Sequence, residues 1–183
     1  MEKKINISAK EKNDLIASKN RELLKQKGIL TVNMIGSPGC GKTSILEYTS
    51  NFFREKFAVI IGDVKTALDS DRIIQSGQKN TYAIETGGGC HLSAEMISKK
   101  INNINLDTID YLFIENVGNL VCPSSFDLGE TLKIAVLSIP EGDEKVRKYP
   151  TLFLRAAVVI INKIDLLGLM DYDIDRVKQD CSI

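Results

Sequence analysis

Residues 36 to 43 read Gly36-Ser37-Pro38-Gly39-Cys40-Gly41-Lys42-Thr43, the pattern G-x-x-x-x-G-K-[ST]. Without bulky side chains, backbone N–H groups in such a loop can close around a phosphate chain. Lys42 is placed to reach the β- and γ-phosphates, and the Thr43 hydroxyl to bind Mg²⁺. A second tetrapeptide, Asn162-Lys163-Ile164-Asp165, has the form N-K-x-D. The Asp165 carboxylate can accept two hydrogen bonds, from guanine's ring N–H and its exocyclic amine. Adenine has no such donor pair and would leave the carboxylate unpaired. The Lys163 stem can cover the face of the base.

Two further carboxylates stand at the ends of apolar runs. Asp63 closes Ile60-Ile61-Gly62-Asp63 and is a candidate Mg²⁺ ligand, direct or through water. Glu115, in Phe113-Ile114-Glu115-Asn116-Val117-Gly118, is a candidate for orienting the attacking water or a water on Mg²⁺. The bland alternative for each is a solvated carboxylate at a strand end. Gly118 would let the backbone approach the γ-phosphate, making 115–119 a switch segment. Asp69 and Asp71 read equally well as caps of a following helix.

Soft metal ligands are few. Cys90-His91 follows Thr86-Gly87-Gly88-Gly89, and Cys122 follows the switch segment. Thiolate and imidazole suit Ni²⁺ or Zn²⁺. A thiol at a helix N-terminus is favoured as thiolate, which metal binding requires. Three ligands leave an open coordination position, as a transfer site needs; alternatively, two sets meet across a two-fold axis. The competing reading is ordinary: isolated cysteines are usually buried hydrophobes.

The elements that must position these residues alternate. Apolar, β-branched runs at 29–35, 57–62, 80–84, 110–115, 132–138 and 156–161 read as strands. Helical spacing covers 42–54, 69–76, 91–104, 144–152 and 171–180. This is an α/β pattern: a mostly parallel sheet with helices on both faces. The polar candidates fall where strands end, so they converge on one edge. Residues 8–27 form an N-terminal helix with Leu15, Ile16, Leu23 and Leu24 near helical spacing, either a solvated half-amphipathic helix or a partner-docking one.

Composition narrows the class. The chain has 183 residues and 24 basic against 24 acidic side chains, so no basic stripe invites nucleic acid or an anionic membrane. The N-terminus has no apolar signal region and no run approaches a membrane span, so a cytoplasmic protein is expected. Its four cysteines, Cys40, Cys90, Cys122 and Cys181, form no C-x-x-C pair, and in a reducing compartment read as buried thiols or metal ligands.

Taken together, the segments resemble the HypB family of hydrogenase nickel-incorporation GTPases. The resemblance runs through the phosphate loop, Gly62-Asp63, Thr86-Gly87 with Cys90-His91-Leu92, and Ile114-Glu115-Asn116-Val117-Gly118-Asn119-Leu120-Val121-Cys122-Pro123. It continues through Phe126-Asp127-Leu128-Gly129-Glu130, Glu141-Gly142-Asp143, Lys148-Tyr149-Pro150 and Asn162-Lys163-Ile164-Asp165. The related urease GTPase carries a Cys-Pro-His motif whose proline is missing here. The resemblance implies a slow P-loop GTPase of the SIMIBI class, binding GTP or GDP with Mg²⁺ and dimerising when GTP-bound. Its catalytic set would be Lys42, Asp63 and Glu115. Cys90, His91 and Cys122 would take Ni²⁺, or Zn²⁺ in the same place, near the dimer interface. Implied partners are a HypA-type metallochaperone, the [NiFe] hydrogenase large-subunit precursor and, in some bacteria, a SlyD-type prolyl isomerase.

The chain departs from the family in three ways. It lacks the N-terminal Cys-rich or His-rich nickel stretch of some members. Cys40 stands where Ser is usual, and a thiol beside Lys42 is a candidate for oxidation. The family continues past residue 179 with a further strand, a guanine-contacting loop and a helix, whereas this sequence stops at Ile183. The expected organisation is an N-terminal helical extension, 1–28, and a G domain, 29–183, lacking the C-terminal strand and helix, with one sheet edge uncovered. Three other readings stay open: a P-loop GTPase serving another metalloenzyme such as urease, a small-molecule kinase, and a metal-binding dimer that does not hydrolyse GTP.

Overall fold

The computed structural model describes residues 8–63, 74 and 78–182. In chain order the elements are α1 (Ala9–Gln26), β1 (Leu30–Gly36), α2 (Lys42–Phe53), β2 (Phe57–Asp63), β3 (Thr81–Glu85), α3 (Ala94–Ile101) and β4 (Tyr111–Glu115). They continue with α4 (Cys122–Ser125), β5 (Leu132–Ser138), α5 (Lys145–Lys148), α6 (Pro150–Arg155), β6 (Val158–Asn162) and α7 (Ile174–Cys181). The strands form one six-stranded sheet in the order β3-β2-β4-β1-β5-β6. Every pairing is parallel. All the strands therefore end on the same edge, and β1, carrying the phosphate loop, lies between β4 and β5.

Strand alternation builds two cores. Phe57, Val59 and Ile61 pack with Val32, Met34, Cys40 and Leu46 under α2. Ala58 and Ile60 face the other way, against Leu24 of α1 and Ile97 and Ile101 of α3. A third cluster joins Ile35, Ala135 and Leu137 to Leu152, Phe153 and Val177. β3 and β6 are the sheet's edge strands, and Val158 on β6 is exposed. Among the described residues no helix is long and apolar enough to cross a membrane.

The expected strands are present within a residue or two. The helices differ more. The helix expected from residue 91 starts only at Ala94, because the Ser93 hydroxyl caps it by accepting from the Met96 N–H. The helix expected over 144–152 is broken into α5 and α6. Pro150 pushes Tyr149 out of helical geometry, to φ −128° and ψ 53°. The helix expected over 69–76, with Asp69 and Asp71, lies outside the described residues apart from Ile74.

The N-terminal helix turns a different face inward from the one its leucines suggested. Asn13, Ala17, Asn20 and Leu24 are its buried residues, while Leu15 and Leu23 are exposed. Buried amides are tolerated only when hydrogen-bonded, and both asparagines are bonded to backbone groups elsewhere in the chain.

Candidate functional site

The phosphate loop sits between the end of β1 and the start of α2. Gly39 and Gly41 take φ of 74° and 99°. Gly41 caps α2 with no side-chain hydrogen bond, so the loop meets the N-terminal end of a helix, a setting that suits an anionic ligand. Lys42 is 5% exposed, and its ammonium donates to the carbonyls of Gly36 and Ser37, each at 3.2 Å. The Thr43 hydroxyl donates to Glu115 Oε1 at 2.9 Å. Glu115 is 5% exposed, so it is not the solvated strand-end carboxylate of the bland reading. Asp63 ends β2, and its side chain lies outside the described set.

The N-K-x-D segment reaches the same loop across the sheet. Asn162 Nδ2 donates to the Cys40 carbonyl at 2.8 Å, and Lys163 Nζ to the Gly39 carbonyl at 2.7 Å. Lys163 adopts φ 57°, which turns the chain so that Ile164–Leu166 forms a short 3₁₀ turn with Asp165 exposed. The Cys40 thiol is a correction to the sequence reading. It is wholly buried in the core beneath α2, and burial pushes its pKa up, so the oxidation expected beside Lys42 is not supported.

Cys90, His91 and Cys122 come together: their ligand atoms all lie within 4.8 Å of one another. Around a tetrahedral metal, two sulfurs would stand about 3.8 Å apart at ordinary bond lengths, so the cluster is within about an ångström of closure. Cys90 is exposed, and His91 and Cys122 are half-buried. The His91 ring stacks on Phe126, with centroids 3.9 Å apart and planes at 25°. The neighbouring Cys122 sulfur pushes the Cys90 thiol above its ordinary pKa. Burial alone pushes His91 down, towards the neutral imidazole a metal needs. The helix N-terminus expected for Cys90 does not materialise, since Cys90 lies four positions before α3; Cys122 is the first residue of α4, a single turn.

A buried polar network runs between the two sites. Asn116, next to Glu115, accepts from the N–H groups of Leu92 (3.3 Å) and Val117 (3.0 Å) and donates to Asn33 (3.1 Å). Asn33 donates to Glu130 at 3.3 Å, and Lys133 pairs with the same carboxylate. Asn119 donates to the Cys90 carbonyl at 3.4 Å. Gly118 faces the phosphate loop itself: a Cβ there would meet Pro38 at 2.8–3.1 Å. The glycine is needed for contact with protein, a reason distinct from the approach to phosphate that its position suggested.

Sequence reasoning quoted Asn116, Phe126 and Glu130 within motifs but gave them no role, and passed over Asn33. One signal was available. Asn33 interrupts the apolar strand Val32-Asn33-Met34-Ile35, and a buried amide there demands a polar partner. The Glu141-Gly142-Asp143 motif anchors the far corner. Glu141 accepts from the Ser138 N–H and hydroxyl, and Asp143 pairs with Arg176 and accepts from the Asp173 N–H.

A parallel sheet with a phosphate loop after a central strand and N-K-x-D at the end of the strand two places away defines a P-loop nucleotide-binding protein. More narrowly, the chain belongs to the CobW/HypB/UreG family, whose nucleotide-binding domain matches residues 30–182. It is 45% identical over 172 residues to the hydrogenase/urease maturation factor HypB of Helicobacter hepaticus, an alignment covering 92% of this chain and 71% of that protein. The crystal structure of HypB from Helicobacter pylori in complex with nickel superposes with a TM-score of 0.88 at 43% identity, covering 92% of this chain and 80% of the other. HypB from Archaeoglobus fulgidus gives 0.85 at 39% identity, covering 93% and 84%.

Proposed function

We propose that this chain is a guanine-nucleotide-driven nickel maturation factor: a slow GTPase that carries Ni²⁺ for insertion into [NiFe] hydrogenase. The observation that carries the reading is the convergence of Cys90, His91 and Cys122 within 4.8 Å on loops hydrogen-bonded to the switch segment. Lys42 and the loop Gly36 to Thr43 hold the phosphates. Asn162, Lys163 and Asp165 hold the guanine base, Asp165 by its two acceptor oxygens. The Thr43 hydroxyl and Asp63 hold Mg²⁺, which neutralises phosphate charge when bound. Glu115, already within hydrogen-bonding reach of Thr43, orients water beside them. Ni²⁺ is cargo, and Zn²⁺ competes for the same thiolates and imidazole. Residues 29–183 are read as the G domain and 1–28 as an N-terminal helical extension, of which the described helix α1 packs Leu24 against Ile97 and Ile101.

The two sites are linked. Cys122 lies on the segment that begins at Glu115, so a change at the γ-phosphate repositions a metal ligand. GTP then favours one arrangement and one homodimer geometry, and hydrolysis favours another with lower Ni²⁺ affinity. The partners consistent with this role are a HypA-type metallochaperone, the hydrogenase large-subunit precursor and a SlyD-type prolyl isomerase, all cytoplasmic. A second reading, service to urease, is favoured by the name of the Helicobacter hepaticus relative.

The test is a Ni²⁺ titration of the chain loaded with Mg²⁺–GDP or a Mg²⁺–GTP analogue, with oligomeric state measured on the same samples. Affinity and dimer fraction should both change with the nucleotide. Identical Ni²⁺ binding and release in both states would sink the switch.

A further inference from the structure

We propose that the N-terminal helix is the clamp that sets the metal-ligand geometry, with Asn13, Asn20 and Arg21 as its positioning residues. The inference rests on reading Cys90, His91 and Cys122 as the ligands. None of the three clamp residues contributes a ligand atom. Each grips the backbone or a side chain of the two segments that carry the cluster.

Asn13 and Asn20 stand two turns apart on the buried face of α1, 7% and 3% exposed. Asn13 Oδ1 accepts from the Ala94 N–H at 2.9 Å, while its Nδ2 donates to the Asp127 carbonyl at 2.8 Å. Asn20 Nδ2 donates to the Ala94 carbonyl at 2.9 Å and the Leu128 carbonyl at 3.0 Å. Each amide thus spans the same two segments. One segment leads from Cys90-His91 into α3. The other follows Cys122 and holds Phe126, whose ring stacks on His91.

Two more contacts press the second segment onto the helix. Arg21 grips both oxygens of Asp127, at 2.5 and 2.6 Å. Gly129, at φ 93°, brings its backbone so close that a Cβ would lie 2.6 Å from the Ala17 carbonyl. Neither amide is buried for its apolar surface: each is desolvated and held by hydrogen bonds to backbone groups of the two segments. The amides are explained by position: each fixes the separation between Ala94 and residues 127–128, and so between His91 and the Cys122–Phe126 segment. Partners that orient metal ligands in this indirect way typically change metal affinity by about 10–100-fold when lost.

The test uses the full chain with Asn13→Leu, Asn20→Leu and Arg21→Gln. Ni²⁺ affinity is read by chelator competition, ligand geometry by the d–d and thiolate charge-transfer bands of the Co²⁺ complex, GDP affinity and thermal melting alongside. Each asparagine variant should lose about 10–100-fold in Ni²⁺ affinity with altered Co²⁺ bands, while GDP affinity holds within about twofold. Asn13→Asp keeps the acceptor for Ala94 and loses the donor, and should fall between. Arg21→Gln, at a side chain 42% exposed, should lose about threefold to tenfold. Unchanged affinity and spectra in the folded variants overturn the clamp. Should both leucine variants fail to fold, an unchanged Arg21→Gln protein overturns it alone. A wild-type chain that takes up no Ni²⁺, or a Cys122→Ser variant that binds as wild type, overturns the ligand reading instead, and the clamp falls with it.

Discussion

The phosphate loop and the cysteine–histidine cluster share one edge of the sheet but are built on opposite plans. The loop is eight contiguous residues. Its recognition groups are mostly backbone N–H groups, its lysine is 5% exposed, and Asn162 and Lys163 tie it down from across the sheet. The cluster is three side chains from two loops, exposed or half-buried, held only through neighbours. Phosphate binding calls for fixed dipoles and tolerates burial. A metal passed to another protein calls for an accessible, incompletely coordinated site.

The sharpest way to break this comparison is a reciprocal pair of lesions. Lys42→Ala should lower GTP turnover by about 10²–10³-fold, a loss of the size seen when one preorganised donor leaves a reacting centre, and leave Ni²⁺ affinity measured without nucleotide intact. Cys122→Ala should do the reverse, lowering Ni²⁺ affinity by about 100-fold with nucleotide affinity unchanged, as titration of both ligands would reveal. If either lesion disables both sites equally, the two are not separate constructions.

Next in size is Asp165→Ala. Loss of two charge-assisted hydrogen bonds should weaken GDP by about 100-fold while ADP affinity barely moves, measured by competition with a fluorescent GDP analogue. Equal losses for both nucleotides would show that Asp165 does not read the base.

Gly118 is the joint between the regions. Gly118→Ala forces a Cβ against Pro38 and should destabilise the fold by about 1–3 kcal/mol in thermal or denaturant unfolding. It should also blunt the nucleotide dependence of Ni²⁺ binding. A variant that keeps wild-type stability and full nucleotide dependence would remove Gly118 from the link.

A graded effect separates the two ends by pH. Cys122 pushes the Cys90 thiol up, so near neutrality Cys90 carries a proton that Ni²⁺ must displace. His91 is pushed down by burial and is already neutral above its ordinary range. Ni²⁺ affinity should therefore rise with pH from 6.5 to 8, by about tenfold per unit for each thiol proton displaced. GDP affinity should stay nearly flat over that range. A flat Ni²⁺ profile would argue against thiolate ligation.

Much of this was open to a reader of the chain. Gly36 to Thr43 is local, so its pattern carries its own geometry, and the strands declare themselves as β-branched runs. Residue type alone left the pairing of Cys90-His91 with Cys122 a possibility, and the family resemblance made it an expectation. Nothing in the spacing says that the loop after β3 and the loop after β4 meet. The face of α1 was misread for a related reason. Leu15 and Leu23 look like core residues, and Asn13 and Asn20 look like surface, because hydropathy does not register a hydrogen-bond partner some 70 to 115 residues away. Pro150 was visible, yet its break between α5 and α6 was passed over.

What the sequence determined by itself is whatever neighbours along the chain can enforce: the phosphate loop, the strand and helix periods, the N-K-x-D turn, and a set of soft ligands too sparse for a disulfide framework. What only the tertiary structure decided is which of those pieces touch. Parallel pairing brought the strand ends to one edge, placed Glu115 against Thr43, seated Asn116 between Asn33 and Leu92, and laid α1 across the segments around Ala94 and Asp127. Such contacts depend on satisfying buried polar groups over long separations, and that is a property of the packed molecule as a whole.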